Sequence, residues 1–305
     1  MTNKFEHLQE PELAIAYLAD QLIDGTLLLF LGAGASAGFG LPGWTEFVNG
    51  FLAQAGIPRV LTDATSADEK ERAVDEALRK IGHSNDRKVA FVRDILYPNP
   101  GDLNYKAIFS QQLLVAVSSL LIGQKRGHIN RVVTFNYDSM LEWFLGVFGL
   151  ATRSIHKVPA LEGSEDVRIY HPHGYVPHPA LNQRSSDFLI IGSVDANDRA
   201  GDPNDPWWYK ERDLLSSGVG LYIGLSLNTF RDRAFQPHLR LVSKDVLKTG
   251  NRPLGLWVFL QNLSENEVEE CLEYGIVPIQ LPSKESVPEF ILKISQKALS
   301  KMVAT

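Results

Sequence analysis

Five consecutive apolar residues, Leu27–Leu31, end abruptly at a run of small residues, Gly32-Ala33-Gly34-Ala35-Ser36. Five residues are too few for an ordinary helix, and an unbroken apolar run is typical of a strand buried on both faces. A helical pattern begins near Trp44. Many α/β proteins use a strand, a glycine turn and a helix in this order to place backbone N–H groups against a phosphate. This stretch alone is also consistent with a tight turn that binds nothing.

The composition argues against several classes of function. A net charge of −6 without a dense Lys/Arg block argues against direct binding to nucleic acid or to an anionic membrane. Cys271 is the only cysteine, so we expect neither a disulfide nor a thiolate zinc site. No apolar run approaches the roughly 20 residues of a membrane span. Met1–Glu10 lacks the apolar core of a signal peptide, and we therefore expect a cytoplasmic protein.

Strand-like and helix-like segments alternate along most of the chain. This alternation predicts an α/β fold: a Rossmann-like, mostly parallel sheet with helices on both faces. The predicted strands are Leu27–Leu31, Arg131–Phe135, Val167–Tyr170, Phe188–Ile191, Val219–Ile223, Leu254–Leu260 and Ile276–Leu281. The predicted helices are Pro11–Asp24, Trp44–Ala55, Ser66–Ile81, Arg87–Leu96, Tyr105–Ile122, Ser139–Phe148, Trp207–Ser216, Thr229–Leu247 with a break at Pro237, Glu265–Tyr274 and Val287–Met302.

The alternation is interrupted between residues 62 and 126, where no convincing strand pattern occurs. We interpret this region as an inserted helical subdomain. The predicted organisation is a first part of the Rossmann-like domain at 1–55, a helical insertion at 56–128 and the remainder of the domain at 129–305.

Polar or glycine-rich clusters follow four of the predicted strands. Beside Gly32–Ser36 they are Asn136-Tyr137-Asp138, His171-Pro172-His173-Gly174 and Gly224-Leu225-Ser226. Open parallel sheets bind ligands beyond the carboxyl ends of their strands. We therefore expect the four clusters to meet in one composite site.

Together these clusters resemble the motifs of the sirtuin superfamily, in order and in spacing, over most of the chain. Gly32–Ser36 followed by Gly40-Leu41-Pro42 resembles the glycine loop of that family. Thr134-Phe135-Asn136-Tyr137-Asp138 resembles its Thr-Gln-Asn-Ile-Asp strand end, and His173-Gly174 resembles its catalytic pair. Gly224-Leu225-Ser226-Leu227 resembles its Gly-Thr-Ser-Leu loop. The bacterial sirtuin-like branch associated with antiphage defence is the most similar.

The resemblance implies that NAD is the substrate and assigns a role to each cluster. Asn136 would order the ribose or an attacking water, and His173 would be the general base. Asp138 would bind the nicotinamide carboxamide. The remaining NAD-binding residues would be Gly32, Ala33, Gly34, Ala35 and Ser36 at the diphosphate, with the Ser36 hydroxyl taking part, and Gly224, Leu225 and Ser226 at the adenosine half.

The residues by themselves leave alternatives. Asp138 could be the N-cap of the following helix. His171, His173 and His178 could form a metal cluster, although no nearby carboxylate or cysteine completes an obvious ligand set, and we expect no metal. Trp44 could flank the nicotinamide or pack in the core.

The chain also departs from the family pattern. Protein-deacylating sirtuins build a small domain around four zinc-bound cysteines, which one cysteine cannot supply. Gly43-Trp44-Thr45 stands in place of the family's Asp-Phe-Arg. The helical insertion would then substitute for the zinc module, and water becomes the favoured acceptor.

The resemblance and these departures predict an NAD+ glycohydrolase that acts in bacterial antiphage defence by NAD depletion. Unrestrained cleavage would harm the cell, so we expect gating by homo-oligomer assembly or by a partner defence protein. The alternatives are a module that senses NAD or ADP-ribose without turnover, and an NAD-dependent deacylase or ADP-ribosyltransferase. A dehydrogenase is disfavoured, because the region about 20 residues after the glycines, Gln54–Pro58, holds neither the strand nor the acidic residue of that fingerprint.

Overall fold

The computed structural model describes residues 4–99, 108, 110–122, 128–160, 163–250 and 252–303. Seven strands of these residues form one sheet in which every neighbouring pair is parallel. The order across the sheet is β3-β4-β2-β1-β5-β6-β7. The strands are β1 (Leu27–Leu31), β2 (Arg131–Thr134), β3 (Thr152–Ile155), β4 (Val167–Tyr170), β5 (Val219–Ile223), β6 (Gly255–Phe259) and β7 (Ile276–Gln280).

Helices cover both faces of the sheet. Successive side chains of a strand point to opposite faces, and along β1 they alternate between two apolar clusters: Leu27, Leu29 and Leu31 join one, and Leu28 and Phe30 join the other. Both faces of β1 are therefore packed, which explains its unbroken apolar run. The helices are α1 (Pro11–Ile23), α2 (Trp44–Gln54), α3 (Ala67–Ile81), α4 (Asn85–Leu96), α5 (Gln112–Leu121), α6 (Met140–Val147), α7 (Ser193–Gly201), α8 (Pro206–Ser216), α9 (Leu227–Phe230), α10 (Gln236–Thr249), α11 (Glu265–Glu273) and α12 (Ser286–Val303).

The prediction of a Rossmann-like α/β fold with a parallel sheet is confirmed. The first apolar cluster takes side chains from α1–α6 and α12, and the second takes them from α8–α11. Helices α3, α4 and α5 share the first cluster with the helices around them, so the separate subdomain at 56–128 stays a prediction. The predicted start of one helix, at 105–107, lies outside the described residues. Of the helices described, none combines the length and the apolar composition that a membrane crossing requires.

Two strand assignments differ from the sequence prediction. Phe188–Ile191 is not a strand. Its apolar residues are buried without belonging to the sheet: Leu189 and Ile191 join the first apolar cluster, and Ile190 packs with Ala196 and Ala234. The Ile190 N–H donates to the His173 carbonyl at 2.9 Å. The edge strand β3 was missed because only Ile155 of its four residues is buried, so it lacks an apolar run.

Candidate functional site

A cavity of about 300 Å³ lies at the carboxyl edge of the sheet, beside the segments that follow β1, β2, β4 and β5. β1 lies between β2 and β5, so the loops after β1 and β5 leave adjacent strands of the central sheet. The chain adds β2, β3 and β4 on one side of β1 and then β5, β6 and β7 on the other side. Doubly wound sheets bind ligands where the strand order reverses in this way. The four sequence clusters therefore meet in one cavity. The predicted site residues in its lining are Gly32, Ala33, Ser36, Asn136, Asp138, His173, Gly224, Leu225 and Ser226.

Gly34 and Ala35, although described, lie outside this lining. The Gly34 N–H donates to the Gly224 carbonyl at 3.1 Å, and a Cβ on Gly34 would lie 2.8 Å from the Gly224 Cα. Gly224 itself has a φ of +68°. The glycines of these two loops are therefore required by the close packing of one loop on the other.

Most N–H groups of the glycine loop are already used within the protein. Gly32 donates to the Ile223 carbonyl at 3.0 Å, Ala35 to Gly32 at 2.9 Å and Ser36 to Ala33 at 3.1 Å. The loop as described is thus held in shape by its own donors.

Asn136, Ser36 and Asp138 form a hydrogen-bonded chain along the cavity wall. The Asn136 Nδ2 donates to the Gly32 carbonyl at 3.0 Å and to the Ser36 Oγ at 3.1 Å. The Ser36 Oγ in turn donates to the Asp138 Oδ1 at 3.0 Å. Both Nδ2 hydrogens are used, so Asn136 presents its Oδ1, an acceptor, to a ligand. The Ser36 proton is committed to Asp138, which argues against the predicted donation from the Ser36 hydroxyl to a diphosphate.

The Asp138 side chain makes contacts on two sides, one at the start of α6 and one at the cavity. Its Oδ1 accepts the Met140 N–H at 2.9 Å, at the start of α6, and the residue also lines the cavity. Burial raises the pKa of Asp138 to about 6, and the hydrogen bonds from Met140 and Ser36 oppose this shift. The N-cap of α6 is Ser139, so Asp138 is not the N-cap itself but supports the helix start from the preceding position. Its role in a binding site stays a prediction.

His173 lies on the cavity wall between an aromatic ring and a carboxylate. The Phe135 ring meets it edge-on at 5.2 Å between centroids, and the Asp232 Oδ1 lies 3.7 Å from its Nε2. Burial lowers the pKa of His173 below its ordinary value, Asp232 opposes this, and Arg199 adds to it. The imidazole is therefore neutral near pH 7, the state in which it can accept a proton.

The other two histidines that could have formed a metal cluster have separate roles. The His171 Nε2 pairs with the Glu142 Oε1 at 2.7 Å. The His178 Nδ1 accepts the Ala180 N–H at 3.1 Å, and its ring packs edge-on against Tyr97. In the part of the chain that the structure describes, no group of three or more His, Cys, Asp or Glu side chains is arranged to hold a metal ion.

Two acidic residues of the lining were not identified from the sequence. Asp232 follows α9, and its Oδ1 accepts the N–H groups of Ala234 and Phe235 at 2.9 and 3.0 Å. Glu71 reaches the cavity from α3, and the Arg233 Nε lies 3.6 Å from its Oε2. Burial and the neighbouring Asp232 raise the pKa of Glu71 to about 7, against the effect of Arg233.

Trp44 also lines the cavity and stacks on Phe47, with ring centroids 5.6 Å apart. Phe47 in turn stacks on Tyr137 at the same distance. Trp44 therefore contributes both to the wall and to aromatic packing.

No protein-family model matches the chain, and a search of curated proteins found no match to its sequence. The case for a function therefore depends on the site itself and on the resemblance of its residues.

Proposed function

We propose that the cavity binds NAD+ and hydrolyses its nicotinamide–ribose bond, releasing nicotinamide and ADP-ribose. The observation that carries this proposal is the convergence of Asn136 and His173 with the loops after β1 and β5 in one cavity. These are the positions at which the sequence resembles the sirtuin superfamily, and the resemblance supplies the identity of the substrate.

The polar groups of the cavity are suited to this reaction. The bond breaks through an oxocarbenium-like centre, and nicotinamide leaves as a neutral molecule because the pyridinium nitrogen keeps the bonding electron pair. The oxygen of water then bonds to the ribose carbon, and its proton passes to the neutral imidazole of His173. The Asn136 Oδ1 accepts a hydrogen bond from that water or from a ribose hydroxyl.

The charges of the lining support a cationic substrate group. The acidic residues that line the cavity are Glu71, Asp138 and Asp232, beside His173 and Tyr137, and the described lining contains no Lys or Arg. The Asp232 carboxylate, which lies beside His173, favours the positively charged nicotinamide ring. The diphosphate would then lie against Ala33 and residues 224–226, which also line the cavity.

The choice of water as acceptor and the biological setting extend the proposal. Cys271 is the only cysteine, so this chain cannot by itself form the four-cysteine zinc module of deacylating sirtuins. We place the activity in bacterial antiphage defence, as depletion of cytoplasmic NAD, on the basis of the resemblance. Homo-oligomer assembly or a partner defence protein would gate it.

The test is to incubate the pure protein with NAD+ and to measure nicotinamide and ADP-ribose by chromatography. His173→Ala and Asn136→Ala should each lower the cleavage rate by roughly a hundredfold or more, the scale for losing a general base or an orienting group. His7→Ala is the control, because His7 is exposed, lies outside the cavity lining and should not affect the rate.

Calorimetry with NAD+ on the same proteins separates binding from turnover. Binding without nicotinamide release, in the protein alone and after addition of a partner defence protein, would replace hydrolysis by NAD or ADP-ribose sensing. Nicotinamide release that requires an added acyl-lysine peptide would favour a deacylase. A His173→Ala variant that cleaves NAD+ at the wild-type rate would refute the assignment of the base.

A further inference from the structure

The loop after β2 and the segment after β4 carry the two proposed catalytic residues, and buried hydrogen bonds join these two segments. The Val176 N–H donates to the Tyr137 carbonyl at 2.7 Å. The His178 N–H donates to the Ser139 Oγ at 2.9 Å. The third connection is made by His171, whose Nδ1 lies 3.1 Å from the carbonyl oxygen of Asn136. This is the only one of the three that reaches the backbone of a proposed catalytic residue.

The protonation of His171 at this contact follows from its partners. A carbonyl oxygen can only accept, so the His171 Nδ1 carries a hydrogen and donates it to Asn136. The Nε2 lies 2.7 Å from the Glu142 Oε1, and one shared hydrogen fills this contact. The Ser154 Oγ of β3 donates to the same Glu142 oxygen at 2.8 Å. The His171 side chain is fully buried, and the contacts of its two ring nitrogens with Asn136 and Glu142 together hold the orientation of its ring.

We propose that His171, oriented by Glu142, is a positioning residue that sets the place of Asn136 through its backbone carbonyl. His171 does not line the cavity, so it acts through Asn136 and not on a ligand. A fixed backbone carbonyl also restricts the position of the Asn136 Cα. The side-chain amide then starts from a defined place and donates to Gly32 and Ser36. The kinetic part of this inference rests on the proposed NAD+ hydrolysis, and the structural part does not.

Two amide substitutions test the contributions of the two ring nitrogens of His171 one at a time. His171→Asn places an amide nitrogen near the position of Nδ1 and keeps the donor to Asn136. His171→Gln places it near Nε2 and keeps only the contact with Glu142. Because a misplacement of about 1 Å can cost roughly a hundredfold, we expect His171→Gln to lower kcat by about tenfold to a hundredfold. His171→Asn should keep kcat within about threefold of the wild type, since a retained donor leaves the reacting geometry in place.

Tyr97→Phe is the matched control. The Tyr97 hydroxyl donates to the Val176 carbonyl at 3.0 Å and accepts the Ser139 N–H at 3.3 Å, so its loss removes buried hydrogen bonds from the same interface without touching Asn136. If His171 were only structural, kcat in the three variants would follow their melting temperatures. Equal losses of kcat in His171→Asn and His171→Gln, or an unchanged kcat in His171→Gln, would overturn the proposal.

Crystal structures of the two His171 variants give a readout that does not depend on turnover. We expect the Asn136 carbonyl to keep its position in His171→Asn and to move in His171→Gln, and an unmoved Asn136 in His171→Gln would refute the positioning role. If the wild type released no nicotinamide, the proposed hydrolysis would fail while these structures still decided the inference. Should His171→Gln not fold, Glu142→Leu, which frees the ring, is compared with Glu142→Gln, which keeps a donor for Nε2.

Discussion

At the scale of single residues, the cavity contains an acceptor and a base whose states are set by buried neighbours. Asn136 presents its side-chain Oδ1 to the cavity because both hydrogens of its Nδ2 are donated to Gly32 and Ser36. The pKa of His173 is lowered because the effects of burial and of Arg199 outweigh the opposite effect of the Asp232 carboxylate. The states of both groups therefore depend on the residues around them as well as on their own side chains.

The electrostatic role of Asp232 leads to a prediction on pH. A general base works in its neutral form, so kcat/KM should rise with pH through the pKa of His173, which lies below its ordinary value of 6.5. Asp232 raises that pKa, and Asp232→Asn removes the charge while its Oδ1 still accepts from Ala234 and Phe235. The acid limb of the profile should therefore move to lower pH, as measured by NAD+ cleavage from about pH 5 to pH 8.

Glu71 requires a control in this experiment, because Asp232 also raises its pKa. The same shift of the acid limb should persist when Asp232→Asn is made in a Glu71→Gln background. A limb that stays in place or moves to higher pH would contradict the electrostatic role of Asp232.

The sequence was informative for residues that directly follow a strand, and much less so for residues brought in by packing. Asn136 and His173 lie just beyond the carboxyl ends of β2 and β4. Because the carboxyl ends of parallel strands lie at the same edge of a sheet, the sequence predicts that these two residues lie near each other. Asp232 stands between Arg231 and Arg233, in a run typical of a solvated surface. Glu71 is on a charge-rich helix whose placement over the cavity depends on tertiary contacts, and no local pattern signals it.

At the scale of elements, the ends of β1 and β5 are matched to each other by glycines. A Cβ on Gly32 would lie 2.5 Å from the Gly224 carbonyl oxygen, and one on Gly34 would lie 2.8 Å from the Gly224 Cα. The sequence predicts that glycine at these places leaves room for a phosphate, and this stays a prediction. The structure shows a packing reason as well, because the two loops are in contact and their backbones would have to separate to admit a side chain.

This contact predicts a loss of stability that does not depend on any ligand. Gly34→Ala should lower the free energy of unfolding by about 1–3 kcal/mol, because the added methyl group meets backbone that cannot rotate away. Urea denaturation without NAD+ measures this effect. Gly146→Ala is the control: it lies in α6 with open space around the new Cβ, and it should raise the free energy of unfolding by about 0.5–1 kcal/mol. An unchanged stability in Gly34→Ala would contradict the packing explanation.

Helix boundaries were predictable where proline or a capping residue marks them. The sequence predicts a break at Pro237 in the helix Thr229–Leu247, and the structure divides this segment into α9 and α10 with Pro237 in the first turn of α10. Proline needs no N–H partner there. The interruption creates the loop that carries Asp232. The sequence therefore predicts the break in the helix, but it does not predict that Asp232 in this break lines the cavity.

At the scale of the whole molecule, a buried cluster of ionisable residues connects helices α7, α8 and α10 to the cavity. Arg199 of α7 donates to the Pro172 carbonyl, next to His173, and pairs with Glu211 of α8. The His238 Nε2 of α10 lies 3.2 Å from the Glu211 Oε2. The packing of three helices is therefore coupled to the backbone that positions the proposed base.

This cluster predicts how stability changes with pH. Burial raises the pKa of Glu211 to about 7, against an ordinary 4.5, so the stability it contributes is complete below about pH 4.5 and is lost as pH rises to about 7. Burial lowers the pKa of His238 to about 4, so its contribution is complete above 6.5 and is lost as pH falls. The two trends oppose each other between about pH 4.5 and 6.5, and Glu211→Gln removes only the first.

The stability of Glu211→Gln relative to wild type should therefore increase as pH rises from about 5 to 8, by at most about 1.4 kcal/mol per pH unit. Urea denaturation at both ends of this range measures the trend, which is independent of any constant cost from weakening the pair with Arg199. Glu6→Gln, at an exposed position, is the control and should show no such trend. A difference from wild type that stays constant with pH, or falls as pH rises, would mean that Glu211 is ionised in the fold throughout. The cluster would then hold the His173 segment as a permanent ion pair with Arg199, not as a neutral acid beside a neutral imidazole.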